Sequence, residues 1–563
     1  MLDKNNKVKK SYVGMNKDKF FKNISTHAKD YILMLENQID HLNEIGLALS
    51  SEKEMPKLLE MILEEAKRIT NCDGRTLYIM TDDKRLKFEI VRTDSLDFHM
   101  GGTSGKDIPF YPIKLYDDEG KPNKTMIAAY AGLTGEAINI PDAYKAKGFD
   151  FSGTKMFDQK TGYKSKSFLT VPLTNHLDET IGVIQLLNAK DPMSGDIIAF
   201  SEQHQRLVES LCSQAAVAIT NNQLIEQLED LFESFIKLLA TAIDKKSPYT
   251  GGHCSRVPVI TMMLAEAVEK VDYGPYKEFK MNDEERNALK IAAWLHDCGK
   301  VVTPTHVVDK ATKLETIFDR IEVINTRFEV LRRDTKIEYL EKLNSSNSYD
   351  DKEKVQLDYQ EKIKKINNDQ EFINNCNYGG EFMAKELQDR VIEISNYSYE
   401  EMGEKKSFLS EHEVKNLNIP KGTLLPEERQ IINDHVLHTL EMLSKLPYPK
   451  HLKNVPEYAG GHHEKMDGTG YPNGLTHSEM STQAKIMVIA DVYEALTAAD
   501  RPYNAEGKKL SLVMKIMSFM RNDYHFDPDL FDIFVKEGVF EDYAKKYVKE
   551  GQIDEVEKKK LVM

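Results

Sequence analysis

The stretch Gly460-Gly461-His462-His463-Glu464-Lys465-Met466-Asp467-Gly468-Thr469-Gly470-Tyr471-Pro472 places two adjacent histidines and an acid ahead of a glycine-rich turn. Imidazole nitrogen and carboxylate oxygen together suit a divalent metal. Adjacent helical residues point about 100° apart, so one histidine can bind while the other orients it or reaches a neighbour. Taken alone, the stretch also reads as a solvated polar turn. Upstream, residues 291–300 read Ile-Ala-Ala-Trp-Leu-His-Asp-Cys-Gly-Lys. An apolar helix ending in His296-Asp297, with Lys300 just beyond, sets two ligands and a cation at one mouth. Three further pieces carry the same residue types: His253 in Gly251-Gly252-His253-Cys254, His435 in Ile432-Asn433-Asp434-His435, and Asp491 in Ile489-Ala490-Asp491-Val492. His438 stands three residues after His435 on the same helical face, so spacing leaves that choice open.

The chain has 563 residues, more than one core accommodates, so about two to four domains are expected. Its 40% hydrophobic and 30% charged residues suit a soluble globular protein. A formal charge of −15 argues against a nucleic-acid-binding face. It does not exclude a small anionic substrate, because bound cations dominate a local field. No apolar run reaches the ~18 residues of a membrane span, and the N-terminus lacks a signal-peptide core, so a cytoplasmic location is expected. Cys72, Cys212, Cys254, Cys298 and Cys376 form no CxxC pair, which indicates neither a disulfide framework nor a cysteine zinc site. Cys254 and Cys298 adjoin candidate ligands but read as small buried thiols.

Three amphipathic helices punctuate the chain. The first carries Ile32, Leu35, Ile39, Leu42 and Leu49, interrupted by Gly46; the second carries Leu224, Leu228, Leu231, Phe235, Leu238 and Ala242 without a break. The third carries Ile317, Ile321, Ile324, Phe328 and Leu331 in a more charged setting. For the second, a coiled-coil dimer and a helix packed on its own domain are equally good readings. Between the first two helices the pattern is mixed, with strand signals at 76–80, 86–91, 167–173 and 181–187, and helices at 55–69 and 203–222. This predicts an α/β domain with an antiparallel sheet and flanking helices. From about 230 to 540 the pattern is mainly helical. A polar stretch rich in Asn, Lys, Glu and Ser, with a Ser-Asn tip at 344–348, reads as an insertion with helical parts.

The order of these pieces, with Lys300, Asp467-Gly468-Thr469-Gly470-Tyr471-Pro472, Ala490-Asp491, Arg501-Pro502-Tyr503 and His525-Phe526-Asp527-Pro528, resembles the HD-GYP branch of the HD phosphohydrolase superfamily over roughly 235–535. The resemblance implies an all-α domain that cleaves cyclic di-GMP to pGpG or GMP with two divalent metal ions, iron or manganese. Carried over, His253, His296, Asp297 and Asp491 hold one metal, and Asp297 bridges to a second held by His435, His462 and His463. Asp297 and Lys300 are then the catalytic candidates, and Lys300, Arg501 and Tyr471 the substrate-binding ones. Two positions depart from the pattern. Tyr249 stands where some members carry an acid for a third metal, which points to two. Asn504 stands where many members carry a basic residue, which loosens the grip expected on cyclic di-GMP. Another cyclic dinucleotide or nucleotide as substrate, or a weakly catalytic binding scaffold, are the alternatives.

The preceding region resembles a GAF domain of the cyclic-nucleotide phosphodiesterase kind through Thr134-Gly135-Glu136, Phe157-Asp158-Gln159-Lys160-Thr161-Gly162-Tyr163, Ser167-Phe168-Leu169-Thr170-Val171-Pro172-Leu173 and Ile181-Gly182-Val183-Ile184-Gln185-Leu186-Leu187-Asn188. That implies a possible cyclic-nucleotide ligand, or a ligand-free dimerisation module. The expected organisation is an N-terminal tail and helix (1–49), a GAF-like sensor (50–222), a connecting helix (223–245), an HD-GYP domain (246–540) with an insertion at about 311–425, and a charged C-terminal tail (541–563). A homodimer, transmitting input along the connecting helix, completes the reading.

Overall fold

The computed structural model describes residues 26–246, 252–346, 348–380, 382–499 and 507–562. Tyr249, Arg501 and Asn504 therefore lie outside the described residues. The chain divides into two compact units, 1–230 and 231–563. No helix among the described residues is long and apolar enough to cross a membrane.

The N-terminal unit opens with helices α1 (Thr26–Ser51) and α2 (Met55–Thr70). The strands are β1 (Cys72–Met80), β2 (Arg85–Thr93), β3 (Phe98–Gly101), β4 (Ile113–Lys114), β5 (Ile138–Ile140), β6 (Phe168–Thr174), β7 (Thr180–Lys190) and β8 (Ile197–Ile198). Helices α3 (Ile127–Thr134) and α4 (Ser152–Thr161) interrupt them, and α5 (Glu202–Lys246) follows. The sheet runs β3-β2-β1-β7-β6-β5, with β4 on β2 and β8 on β7, and its described pairings are all antiparallel. One core joins Leu77, Ile90, Val171 and Ile184 to Leu58 and Ile62 of α2 and to Leu211 and Ala215 of α5. A second joins Tyr78, Leu86 and Val183 to Ala128 and Ala131 of α3. Cover on both sides explains why β1 and β6 are buried along most of their length. This is the α/β fold expected, with helices flanking an antiparallel sheet.

Two local expectations change here. Gly46 does not interrupt α1; a Cβ there would stand 2.8 Å from Gln214 Oε1, so the glycine permits close approach to α5. The helix closing the sensor and the connecting helix are one element, α5, of 45 residues. Its Leu224, Leu228, Leu231, Phe235 and Leu238 all stand exposed.

The second unit is helical. It contains α6 (His253–Lys270), α7 (Asp283–Leu295) and α8 (Thr305–Val308), then α9 (Ile321–Ser345), α10 (Tyr349–Cys376) and α11 (Lys385–Ser395). A hairpin of β9 (Ser398–Glu401) and β10 (Glu404–Ser407) precedes α12 (Glu411–Leu417), α13 (Pro426–Asn433), α14 (His435–Ser444) and α15 (Val455–Gly460). The last helices are α16 (Thr482–Thr497), α17 (Leu510–Asn522), α18 (Pro528–Lys536) and α19 (Val539–Tyr547). Helix α16 is apolar on most of its surface and buries it, as the central helix of a core must. The segment expected as a charged tail from 541 is instead part of this core. Tyr543, Ala544 and Leu561 are buried in it, and Gln552 donates to the Thr497 carbonyl at 2.9 Å. Its apolar residues are spaced among lysines and glutamates, which masks them in composition.

The insertion has its own small core of Ile324, Phe328, Ile366, Ile373, Val391, Phe408 and Leu417. Its first helix starts later than the periodicity suggests: Ile317 precedes it, fully outside the core, and Asp319 accepts the Ile321 amide at 2.9 Å to begin α9. The hairpin β9–β10 carried no sequence signal. The two ends of the insertion meet. Buried Lys313 donates to the Leu417 and Ile419 carbonyls at 3.1 and 2.7 Å, and Lys310 pairs with Glu428 at 2.8 Å. A long detour thus leaves the chain before and after it adjacent. Replacing Phe328, which packs edge-to-face on Phe408 at 4.6 Å, with alanine should destabilise this core by about 3–5 kcal/mol. Denaturant unfolding followed by hydrogen exchange within 321–417 checks it.

Candidate metal centre

Four helix ends and one helix centre supply the site. His253 begins α6, His296 caps the end of α7, His435 begins α14, His462 follows α15, and Asp491 sits midway along buried α16. Helix ends leave backbone carbonyls without intrahelical partners. Three of the histidines use them: Nδ1 of His296, His435 and His462 bonds the carbonyl of Ala293, Ile432 and Ala459 at 2.8, 2.5 and 2.6 Å. A carbonyl has no proton, so each Nδ1 is the donor. Each of these rings, once its Nε2 carries no proton, therefore turns an Nε2 lone pair inward. His253 is oriented by another route, through Nδ1 to the buried carboxylate of Glu494, which Arg256 also holds at 2.5 Å.

Asp297 lies between these rings, 2% exposed. Its Oδ2 is 3.4 Å from Nε2 of both His253 and His296. Its Oδ1 is 3.2 Å from His435 Nε2 and 3.9 Å from His462 Nε2. Asp491 Oδ1 closes the first side at 3.1 Å from His253 Nε2 and 3.6 Å from His296 Nε2. On the second side, His463 joins His435 and His462. All seven residues expected as metal ligands thus fall into three overlapping groups of potential donors.

Electrostatics test whether a cation fits. Asp297 Oδ1, His435 Nε2 and His462 Nε2 are buried and find no hydrogen-bond partner among the described residues. Lone pairs facing one another repel unless positive charge lies between them, so the donor set fits a metal. Burial raises the Asp297 carboxyl, but Lys300 and His296 hold it well below the usual range. Burial pushes His463 down to about 4 and holds His462 well below the usual range, with neighbouring histidines adding to the effect, so both are neutral bases. On the other side burial lowers His296, yet Asp297 and Asp491 carry it up to about 9. That half of the site demands positive charge.

Close packing explains the motif glycines. A Cβ on Gly299 would lie 2.0 Å from the His435 carbonyl oxygen, so α14 seats directly on the turn after Asp297. Thr439 ties the two together, accepting from the Gly299 amide at 2.9 Å and donating to the His296 carbonyl at 3.0 Å. In the glycine-rich turn, Glu464 accepts from the Asn473 and Leu475 amides at 2.7 and 2.9 Å, so this acid shapes the loop. Tyr471 is stacked on His463, centroids 4.8 Å apart. Lys300 donates to Asp297 Oδ2 at 2.5 Å. His438 is exposed, which resolves the choice in favour of His435. Cys254 and Cys298 are buried free thiols of the core. Glu494, Arg256 and Thr439 carried no role in the sequence reading. Their one legible signal is the i,i+3 pairing of Asp491 with Glu494 and of His253 with Arg256.

Residues 54–219 match the GAF domain family, and residues 250–361 and 412–530 match HD domain families. The chain carries a GAF domain and an HD domain. The interval between the two HD matches falls inside the insertion. The 3'3'-cGAMP-specific phosphodiesterase 3 of Vibrio cholerae serotype O1 is 36% identical over 349 residues, covering 61% of this chain and 48% of that protein. A probable cyclic di-GMP phosphodiesterase of the same organism is 36% identical over 144 residues, covering 24% of this chain and 31% of that protein. The chain thus spans about half of the first of these relatives and about a third of the second. The crystal structure of the GAF domain from Acinetobacter phosphoenolpyruvate-protein phosphotransferase covers 34% of this chain and 97% of its own, at 17% identity and a TM-score of 0.25.

Two outcomes follow for the HD domain. Gly299→Ala should separate α14 from the His296-Asp297 turn and lower bound Mn²⁺ per chain at least about tenfold, measured by equilibrium dialysis. Metal must also displace the proton that His296 binds below pH about 9. Apparent Mn²⁺ affinity should therefore rise as pH increases from 6.5 to 8.5, with proton release detectable by calorimetry in buffers of different ionisation enthalpy.

Proposed function

We propose that this chain is an HD-GYP-type, metal-dependent phosphodiesterase that hydrolyses cyclic di-GMP to pGpG or GMP under the control of its GAF domain. The observation that carries the reading is the Asp297 carboxylate, whose two oxygens face two separate histidine groups. In this reading His253, His296, Asp297 and Asp491 hold one divalent ion, and Asp297, His435, His462 and His463 hold a second, iron or manganese. Such a pair supplies Lewis acidity toward a phosphoryl oxygen and acidifies an attacking water.

The chain's own groups do the rest. The Lys300 ammonium, anchored on Asp297, adds positive charge beside the scissile phosphate and can hold the proton that the leaving oxygen takes up. Tyr471, backed by His463, offers a fixed aromatic face to a base or ribose. Arg501 is assigned to a phosphate or guanine edge on the strength of its motif alone. The carboxylate of Glu494 and the three carbonyls keep the rings oriented, so no reorganisation is needed when charge develops. The GAF domain is assigned a small-molecule ligand, a cyclic nucleotide, and α5 a homodimer contact along its exposed 4-3 spaced stripe.

A second reading, 3'3'-cGAMP as the preferred substrate, is favoured by the 36% identity to a phosphodiesterase described as specific for it, and by Asn504. The test is hydrolysis of a panel of cyclic dinucleotides by the full chain with Mn²⁺ or Fe²⁺. Cleavage of cyclic di-GMP should require metal and fall about 10³-fold or more in Asp297→Asn. Faster turnover of 3'3'-cGAMP selects the second reading. No cleavage of any member with either metal sinks both.

A further inference from the structure

The last turn of α5 ends at Lys246, whose Nζ donates to three carbonyls: Lys300 at 2.9 Å, Val301 at 2.5 Å and Thr303 at 2.6 Å. An ammonium has three N–H donors, and all three are used on one short piece of backbone. That piece is the end of the 3-10 turn Cys298–Val301, which follows Asp297 and contains Lys300. Two residues before Lys246, Asp244 Oδ1 accepts the Cys254 amide at 3.2 Å. Cys254 is the neighbour of His253, at the start of α6, where amides lack intrahelical partners. One helical turn therefore grips both segments that face Asp297 Oδ2. Neither Asp244 nor Lys246 belongs to the donor groups of the metal centre.

The geometry of this grip is specific. Carbonyls at a turn's end are ordinarily satisfied by water or a cap, and either lets the turn shift. A lysine stem fixed in place ties the turn's position to the position of the helix that carries the stem. That helix begins at Glu202, within the segment matched by the GAF family. We infer that Lys246 is a positioning residue, holding the Asp297–Lys300 turn in register with α5, so that the end of α5 is where GAF input reaches the chemistry. The inference rests on the phosphodiesterase reading for its effect on turnover, but not for its effect on the turn.

Two variants of the full chain separate the possibilities. Lys246→Met keeps the stem and removes every donor; Lys246→Arg keeps charge and donors. With saturating Mn²⁺, Lys246→Met should lower kcat about 10–100-fold, as a displacement of about 1 Å does, with KM within about twofold. Amide hydrogen exchange at 298–303 should speed up while the thermal midpoint stays within about 3 °C, and Lys246→Arg should recover most of kcat. Wild-type kcat and wild-type exchange at 298–303 in Lys246→Met would falsify the inference. So would a joint loss of kcat, KM and midpoint that Lys246→Arg does not rescue, because that pattern marks a lysine needed only for folding. Should the wild type cleave no cyclic dinucleotide, the phosphodiesterase reading fails by itself. Exchange at 298–303 and the Mn²⁺ affinity of Lys246→Met then decide the positioning role, unchanged values overturning it.

Discussion

A carboxylate buried at 2% exposure, with histidine nitrogens against both of its oxygens, is the constraint on which the HD domain depends. Taking such a charge out of water is expensive unless partners surround it on every side. The domain answers by converging five chain segments on Asp297. Gly299 is small because α14 must pass within contact of the turn; Thr439 stitches that contact; Lys300 and Lys246 hold the turn from its other side. Ring orientation follows too, since the outward Nδ1 of His253, His296, His435 and His462 is occupied by Glu494 or by a carbonyl.

The rings are thus oriented mainly by backbone. Three of four orienting partners are main-chain carbonyls at helix ends, which no side-chain substitution removes. Glu494 is the exception, and it is itself held by Arg256. The first half of the centre combines a side-chain relay at His253 with a carbonyl at His296, and in the second half carbonyls at helix ends orient His435 and His462. The charge pattern differs in step: His296 is carried up to about 9 by carboxylates, whereas His463 is driven down to about 4 by burial. Proton competition for metal is concentrated on the first half.

Much of this was legible in the chain. The fold of the sensor followed from alternation and turn signals, and the histidines and aspartates of the centre were named from motif order. What could not be read shares one cause: a partner distant in sequence. Glu494, the second acid of a mainly apolar helix, looks like many others until His253 is placed beside it. Lys246 resembles the solvated end of a charged helix until the 300–303 carbonyls arrive. The C-terminal segment hid its apolar residues among lysines, and beyond α9 the insertion's core draws on apolar residues that stand sparsely among charged ones. Local physics writes local structure into sequence; packing between remote segments leaves only single residues as evidence.

The relay between His253 and Glu494 closes across 241 positions. A chain emerging from the ribosome in N-to-C order exposes His253, His296 and Asp297 long before α16 exists to complete their surroundings. During that interval the buried carboxylate has no burial, and the histidines are ordinary solvated bases with weak, unselective affinity for metal. The centre comes into being only with the last third of the domain, in one high-contact-order closure. A divalent ion taken up by this donor set would then bind only after α16 has joined it, and would favour the folded domain over any chain that lacks this helix.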